Sequence, residues 1–185
     1  MSIGILGGTF DPVHLAHLAM ARAALDELGV EQVLWIPTGK PVYRRAPVAS
    51  ARDRLAMLRL VMPEDPRYRI DERELDADAT GYTVDTLREL RVETGQDLCL
   101  LIGADQYAKF GTWHRPDEIR QLALVVVFAR PGSKIRNEPW MKVVAMPPME
   151  ISASAIRSRA AKGADLAGLV PPAVAGYIAR QGLYR

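Results

Sequence analysis

The sequence predicts an α/β fold in which helices cover both faces of a parallel sheet. Short apolar runs alternate along the chain with segments of helical periodicity, a pattern typical of such folds. The longest apolar run, residues 122–129, is far too short to cross a bilayer and is typical of a buried strand. A glycine turn joins the first apolar run to the first helical segment. Together these features predict a doubly wound, Rossmann-like sheet with a small C-terminal helical segment.

The strands are predicted from apolar segments of strand length. They are residues 2–6, 32–36, 98–102, 124–128 and, more weakly, 142–145. Weak alternation over residues 67–75 is compatible with one further strand. Because helical segments separate these strands, we expect them to be parallel, with ligands at their carboxyl ends near the point where the strand order reverses.

The helices are predicted from helix-forming residues bounded by caps and stops. They are residues 15–28, 51–62, 84–94, 154–161 and 172–181. Gly29, Gly95 and Gly182 follow three of these segments as stop residues. Ser50 and Asp53 form a capping box at the start of the second.

Composition and charge limit the classes of protein that this chain can represent. With 185 residues, 49% of them hydrophobic, one domain spanning residues 1–185 is expected. A net charge of only +2 argues against a nucleic-acid partner. Because no signal peptide and no membrane-spanning run is present, we expect a cytoplasmic protein without a membrane partner. The single cysteine, Cys99, excludes an internal disulfide and a cysteine-based metal site, and is expected in the core.

The most informative stretch is GGTFDPVHLAH, residues 7–17. Adjacent glycines let a phosphate approach the backbone closely, and the following helix points the positive end of its dipole at that anion. His14 and His17 are three residues apart, so both imidazoles face one phosphate if the helix begins near Val13. The stretch lacks the Lys-Ser/Thr ending of a P-loop and the spacing of the dinucleotide fingerprint. A nucleotide phosphate site of another kind is therefore predicted.

This stretch resembles the signature of the nucleotidyltransferase superfamily, a T/H-x-G-H motif after a G-G-T/S-F-D-P turn. The rest of the chain, up to its QGLYR ending, resembles the bacterial nicotinate-nucleotide adenylyltransferases. Ala16 departs from the pattern, because the family usually has glycine between the histidines. The ATP-binding residues implied in this stretch are Gly7, Gly8, Thr9, Phe10, His14 and His17.

Two later segments complete the ATP site that the resemblance implies. Gly103 and Asp105 match a G-x-D segment that contacts the adenosine ribose, although Asp105 could equally cap the next helix. Residues 151–157 match the motif I-S-x-T/S-x-I-R, in which Ser154 can cap a helix whose N–H groups and Arg157 hold phosphates. Ser152 and Arg130 are also assigned to ATP.

Basic residues follow the predicted strands in three clusters, which suits a triphosphate, although any one cluster alone is more typical of a solvated face than of a site. The clusters are Lys40, Arg44 and Arg45, then Arg130, Lys134 and Arg136, then Arg157 and Arg159. In the loop 37–44, Val42 and Tyr43 replace a proline and a histidine of the family pattern, while Arg44 keeps its cation.

The resemblance also implies a binding site for a pyridine mononucleotide. A tryptophan at the position of Trp113 stacks on the pyridine ring in this family, although an indole folded back on the domain is the alternative. Residues 81–84 resemble a Y-T segment whose main chain receives the nicotinate carboxylate. The implied mononucleotide-binding residues are Thr9, Arg44, Tyr82, Thr83, Val84, Trp113 and His114.

The expected activity is adenylyl transfer from ATP to nicotinic acid mononucleotide, with Mg²⁺ bound to the ATP and no separate metal site. His14, His17 and Arg157 are the expected catalytic residues, since an anionic phosphate needs no general base. Two alternatives remain: a sister transferase acting on phosphopantetheine or another phosphorylated acceptor, and a nucleotide-binding regulator without turnover. The sequence leaves the oligomeric state open, a homo-oligomer included.

Overall fold

The computed structural model of the protein describes residues 1–42, 46–129 and 132–185. Within these ranges, six parallel strands form one sheet in the order β3-β2-β1-β4-β5-β6. The strands are β1 (Ser2–Gly8), β2 (Gln32–Pro37), β3 (Tyr68–Ile70), β4 (Asp97–Gly103), β5 (Ala123–Ala129) and β6 (Met141–Ala145).

Helices connect the strands and cover the sheet. They are α1 (Leu15–Leu28), α2 (Ala51–Arg59), α3 (Thr83–Thr94), α4 (Ala104–Tyr107), α5 (Pro116–Leu122), α6 (Ala153–Ala161) and α7 (Pro172–Gln181). Short 3₁₀ turns lie at Arg73–Leu75 and Phe110–Thr112. Among the described helices, none has the length and apolar character needed to cross a membrane. The predicted doubly wound fold is confirmed.

The order of the strands places a crevice between β1 and β4. The chain first builds outward through β2 and β3, and then returns to the other side of β1 to add β4, β5 and β6. Ile5 of β1 lies opposite Leu34 of β2 on one side and Leu100 of β4 on the other. The loops that leave the carboxyl ends of β1 and β4 therefore run in opposite directions, which opens a binding crevice.

The core consists of two apolar layers, one on each face of the sheet. Along β4, Cys99 and Leu101 pack with residues of α1, α6 and α7, while Leu98, Leu100 and Ile102 pack against α3 and α5. This alternation follows from the two-residue period of a strand. Cys99 is buried, as predicted.

The structure corrects three predicted elements. Helix α5, which the sequence reading missed, takes Leu122 from the apolar run 122–129, so that β5 begins at Ala123. Proline at its first position and two acidic residues in its first turn were the available signals. Helix α2 ends at Arg59 rather than at residue 62. The segment 67–75 supplies only the three-residue strand β3 before a 3₁₀ turn.

Candidate active site

A cavity of about 530 Å³ lies over the carboxyl ends of β1 and β4. Its volume is in the range of small-molecule binding sites, and it lies where the doubly wound topology predicts a ligand. The predicted site residues that line it are Gly7, Gly8, Thr9, Phe10, His14, His17, Thr83, Gly103, Asp105, Trp113, Ser152 and Arg157. These residues come from five separate segments of the chain, and only the fold brings them together.

Glycine suits its positions at the cavity for two different physical reasons. A Cβ on Gly7 or Gly103 would meet no atom within 4 Å, so a side chain there would project into open space at the cavity. A Cβ on Gly8 would instead approach the Phe10 ring to 3.2 Å. Gly7 and Gly103 therefore leave room for a ligand, while Gly8 permits close packing of the turn.

The turn after β1, residues 9–13, is held by its buried aromatic ring. Phe10 has a positive φ of 49°, which is uncommon for a residue with a side chain, and its ring is buried. The ring centroid lies 5.0 Å from that of His17, edge to face, and 5.6 Å from that of Trp35. Phe10 thus lines the cavity while its ring anchors the turn to the core.

The backbone of this turn presents donors to the cavity. The N–H groups of Thr9, Phe10 and Asp11 donate hydrogen bonds to no other described residue. The carbonyl oxygens of Thr9 and Asp11 accept hydrogen bonds from Arg54 and Arg157, at 2.7 Å in both cases. The two arginines bind the carbonyl oxygens of the turn, and its N–H groups are available to donate to an anion.

The two histidines are stacked at the start of α1. His14 is the N-cap residue, so the helix begins at Leu15, as predicted. The backbone N–H of His14 donates to His17 Nδ1 at 3.3 Å. The two ring centroids are 3.6 Å apart, with an interplanar angle of 16°. The structure therefore places both imidazoles together at one helix terminus, where the dipole favours an anion.

His14 is uncharged at neutral pH in this arrangement. Burial lowers its pKa to about 4, and its Nδ1 is buried without a hydrogen-bond partner among the described residues. A neutral imidazole can still offer one N–H donor to a phosphate oxygen. His14 would therefore act as a hydrogen-bond donor rather than as a cation.

Acid should destabilise the protein through His14. The unfolded imidazole binds a proton near pH 6.5 and the folded one only near pH 4, so the stability contributed by the neutral ring is lost as the pH falls between these values. From about pH 7 to about pH 5, the free energy of unfolding should fall by about 2 kcal/mol more in the wild type than in His14→Gln. Urea unfolding at both pH values measures this difference.

The matched control for this experiment is His114→Gln, since His114 is exposed. We expect this variant to lose stability with acid as the wild type does. Equal pH dependence in the wild type and His14→Gln would contradict the burial effect.

The carboxylate of Asp105 does not cap a helix. Gly103 is the N-cap of α4, and Asp105 lies in the first turn with its side chain exposed at the cavity. The alternative interpretation of Asp105 as a capping residue is therefore wrong. A carboxylate at this position remains suited to accept hydrogen bonds from ribose hydroxyls.

The cap of α6 is Ser152, not Ser154. The Ser152 hydroxyl accepts a hydrogen bond from Ala155 N at 3.2 Å, while Ser154 lies inside the helix with its Oγ 3.2 Å from Ser152 Oγ. Ser152 lines the cavity and Ser154 does not. The prediction that Ser154 caps the helix is wrong because the helix begins one residue earlier, at Ala153.

Of the residues predicted to bind the mononucleotide, some line the cavity and others pack behind its wall. Thr83 and Trp113 line the cavity, whereas Tyr82, Val84 and His114 do not. Tyr82 is the N-cap of α3, which begins at Thr83, one residue earlier than predicted. The Tyr82 ring packs on that of His114 at 4.4 Å between centroids, and Val84 is fully buried. These three side chains support the wall rather than face the cavity.

The three basic clusters contribute fewer residues to the cavity than the sequence suggested. Arg44 and Arg130, with Tyr43 and Arg45, lie outside the described residues, so the interpretation of these positions stays a prediction. Lys40 donates to the Ala77 carbonyl, and Arg159 donates to that of Asp165. Of the cluster members that the structure describes, Arg157 alone lines the cavity.

Two charged residues near the cavity were missed by sequence reasoning. Arg54 is 1% exposed and donates through Nη1 to the carbonyls of Thr9 and Thr38. Glu74 lines the cavity, and its carboxylate accepts a hydrogen bond from the Thr86 hydroxyl at 2.7 Å. Burial raises the pKa of the Glu74 carboxyl. Neither position was distinguishable in the sequence from an exposed charged residue.

Known proteins resemble this chain in both sequence and fold. The model of the cytidylyltransferase-like family matches residues 5–159. A probable nicotinate-nucleotide adenylyltransferase of Bordetella petrii is 44% identical over 195 residues, which cover 99% of this chain and 98% of the relative. Another, of Laribacter hongkongensis, is 41% identical over 209 residues, which cover 100% of this chain and 95% of the relative.

The fold is shared with a solved structure of much lower identity. Plasmodium falciparum nicotinic acid mononucleotide adenylyltransferase complexed with NaAD superposes with a TM-score of 0.86 at 17% identity, covering 99% of this chain and 97% of that chain. This likeness shows the fold, while the relatives match this chain in sequence over nearly its full length. The resemblance predicted from the sequence is confirmed, and the chain belongs to the cytidylyltransferase-like family, among its nicotinate-nucleotide adenylyltransferases.

Proposed function

We propose that the protein transfers the adenylyl group of ATP to nicotinic acid mononucleotide, in the biosynthesis of NAD. A 5′-phosphate oxygen of the mononucleotide bonds to the α-phosphorus of ATP. The bond from that phosphorus to the oxygen bridging to the β-phosphate breaks, and pyrophosphate leaves. The products are nicotinic acid adenine dinucleotide and pyrophosphate. The names of the relatives support this acceptor.

One observation carries the proposal: a single cavity joins three chemically distinct surfaces. Asp105 offers an acceptor for ribose, Trp113 offers an aromatic face for a pyridine ring, and the turn after β1 offers N–H donors and imidazoles for phosphates. A transfer between two nucleotides needs such a set, because both must bind at once with their phosphates together.

The side chains would act by positioning and by stabilising charge. The attacking phosphate is already an anion at neutral pH, so no residue has to remove a proton from it. His14 and His17 would donate to oxygens of the α- and β-phosphates, and Arg157 would neutralise the departing pyrophosphate. Arg157 is half-exposed and already held by the Asp11 carbonyl, which limits the entropy that it loses on binding.

We expect Mg²⁺ to enter with ATP and to be held by the triphosphate. Across the described part of the chain, no group of three or more histidine, cysteine, aspartate or glutamate side chains could hold a metal ion. The Asp11 carboxylate is occupied by three hydrogen-bond donors. Magnesium commonly binds through substrate phosphates with few protein ligands, and its chemistry here is to neutralise phosphate charge.

Pyrophosphate release tests the proposal directly. The protein with Mg²⁺ and ATP should release pyrophosphate on addition of nicotinic acid mononucleotide and not on addition of phosphopantetheine. Release with phosphopantetheine alone would support the sister transferase. ATP binding without release with any phosphorylated acceptor would support the non-catalytic regulator.

The substrate should be the acid rather than the amide. Helix α3 presents the N–H groups of Thr83 and Val84, which donate to no described residue. The nearby carboxylate of Asp85 is engaged by Thr80 and Arg88, at 2.8 and 2.7 Å. Charge-assisted bonds to a carboxylate are about twice as strong as neutral ones, and an amide would bring its own donors. We expect kcat/KM for nicotinic acid mononucleotide to exceed that for nicotinamide mononucleotide at least about tenfold.

Steady-state kinetics with both mononucleotides under one set of conditions measures this ratio. Equal values, or a preference for the amide, would overturn the assignment of the start of α3 as a carboxylate site.

Trp113 should affect one substrate only. Its indole is half-buried, packs against Phe110 at 5.5 Å between centroids and lines the cavity. Trp113→Ala should weaken mononucleotide binding by about 1–3 kcal/mol and leave ATP binding nearly unchanged. Calorimetric titration with each substrate measures both values, and Trp113→Phe, which keeps a ring, should lose less. Equal losses for both substrates would show a structural role instead.

A further inference from the structure

The carboxylate of Asp11 is a buried junction between distant parts of the chain. It is 4% exposed and accepts hydrogen bonds from Val48 N at 2.8 Å, from Ala49 N at 3.1 Å and from the Tyr184 hydroxyl at 2.9 Å. The first two donors precede α2, and the third follows α7. One carboxylate in the turn after β1 therefore ties together three segments that are far apart in sequence.

Tyr184 reaches this carboxylate through an unusual backbone path. Gly182, with φ of 62°, caps the C-terminus of α7, and Tyr184 itself has φ of 66°. Positive φ is natural for glycine but uncommon for tyrosine. The result is that the Tyr184 ring turns inward and is 8% exposed. Burial and the neighbouring Asp11 charge raise the pKa of the Tyr184 hydroxyl, so it stays protonated and donates a hydrogen bond.

The Asp11 junction also contacts Arg157, the cation that lines the cavity. Arg157 Nη1 donates to the Asp11 carbonyl at 2.7 Å and lies 3.8 Å from Asp11 Oδ2. Arg54, unlike Arg157, is a buried cation; its charge interacts with Asp11, and it holds the Thr9 carbonyl. The Asp11 carboxylate thus interacts electrostatically with both guanidinium groups, which hold the carbonyls of the turn after β1.

We propose that Tyr184 is a positioning residue for adenylyl transfer, acting through Asp11. Its hydroxyl fixes the rotation of the Asp11 carboxylate, and this carboxylate keeps Arg157 and the turn of residues 9–13 in the orientation that binds the reacting phosphates. Tyr184 itself does not line the cavity. The inference rests on the proposed function, because the property that it assigns to Tyr184 is an effect on turnover.

Tyr177, on helix α7, provides a matched control. The Tyr177 hydroxyl donates to Asp53 Oδ1 at 2.9 Å, so Tyr177 also links the region of α7 to a carboxylate at the start of α2. Neither Tyr177 nor Asp53 lines the cavity. Tyr177→Phe and Tyr184→Phe each remove one hydroxyl and one hydrogen bond to a carboxylate, and only the second bond reaches the turn after β1.

The first readout is a split between kcat and KM. Tyr184→Phe should lower kcat by about tenfold, the scale of one lost hydrogen bond to a charged group, with KM for both substrates within about twofold of the wild type. Tyr177→Phe should keep kcat within about twofold and lose less thermal stability than Tyr184→Phe, because its hydrogen bond is less buried. Equal kcat values for the two variants would overturn the inference.

The second readout does not depend on turnover. Amide hydrogen exchange over residues 9–17 should be faster in Tyr184→Phe than in the wild type and unchanged in Tyr177→Phe. Unchanged exchange in Tyr184→Phe would overturn the inference. The proposed function fails separately, if the wild type itself releases no pyrophosphate from ATP and nicotinic acid mononucleotide.

Discussion

Replacing His17 by alanine is expected to lower kcat by about two to three orders of magnitude, the scale for losing one preorganised donor to a developing charge. His17 lines the cavity in the first turn of α1, and its ring is fixed between the His14 ring, at 3.6 Å, and the edge of Phe10, at 5.0 Å. A donor held this firmly requires little reorganisation during the reaction. Steady-state kinetics with ATP and nicotinic acid mononucleotide measures the loss.

His17→Gln is the conservative comparison, because its amide can still donate a hydrogen bond. We expect it to retain more turnover than His17→Ala, while both variants keep most of the stability of the wild type in urea unfolding. A His17→Ala variant with more than half of the normal turnover would remove His17 from the mechanism.

Replacing Arg54 by alanine is expected to lower the free energy of unfolding by about 3–5 kcal/mol. Arg54 is 1% exposed, and its Nη1 donates to the carbonyls of Thr9 and Thr38 at 2.7 and 2.8 Å. Its removal leaves these carbonyls without their donor and leaves the buried charge of Asp11 less compensated. Burial lowers the pKa of Arg54, and Asp11 opposes that shift.

The control is Arg52→Ala, because Arg52 lies on the same helix with its side chain exposed. We expect this change to alter stability by no more than about 0.5 kcal/mol. Urea unfolding of both variants measures the difference. A loss of less than about 1 kcal/mol for Arg54→Ala would mean that water replaces the guanidinium without cost.

The features that the sequence predicted correctly have local causes. The position of His14 and His17 on one side of the helix start follows from their spacing of three residues, and the stop of α1 follows from Gly29, whose φ is 66°. The strand and helix pattern is likewise visible within windows of a few residues, which is sufficient to predict the doubly wound sheet.

The errors occurred where several local solutions were nearly equivalent. Ser152 and Ser154 are both good N-cap residues, and only the start of α6 at Ala153 distinguishes them. The run of residues 122–129 was apolar enough for one strand, although its first residue ends α5. Tertiary packing determines such boundaries, because the local free-energy differences between neighbouring starts are small.

From the sequence alone, the glycine turn after β1, the histidine pair and the parallel sheet could be predicted, because each rests on residues close together in the chain, and the family could be predicted from short motifs along it. The burial of Arg54 and the hydrogen bond from Tyr184 to Asp11, 173 positions away, became visible only in the folded structure. A polar side chain carries no sign in the sequence of whether its partner will be water or a buried group. That outcome depends on contacts between distant segments, which form only when the fold closes around the cavity.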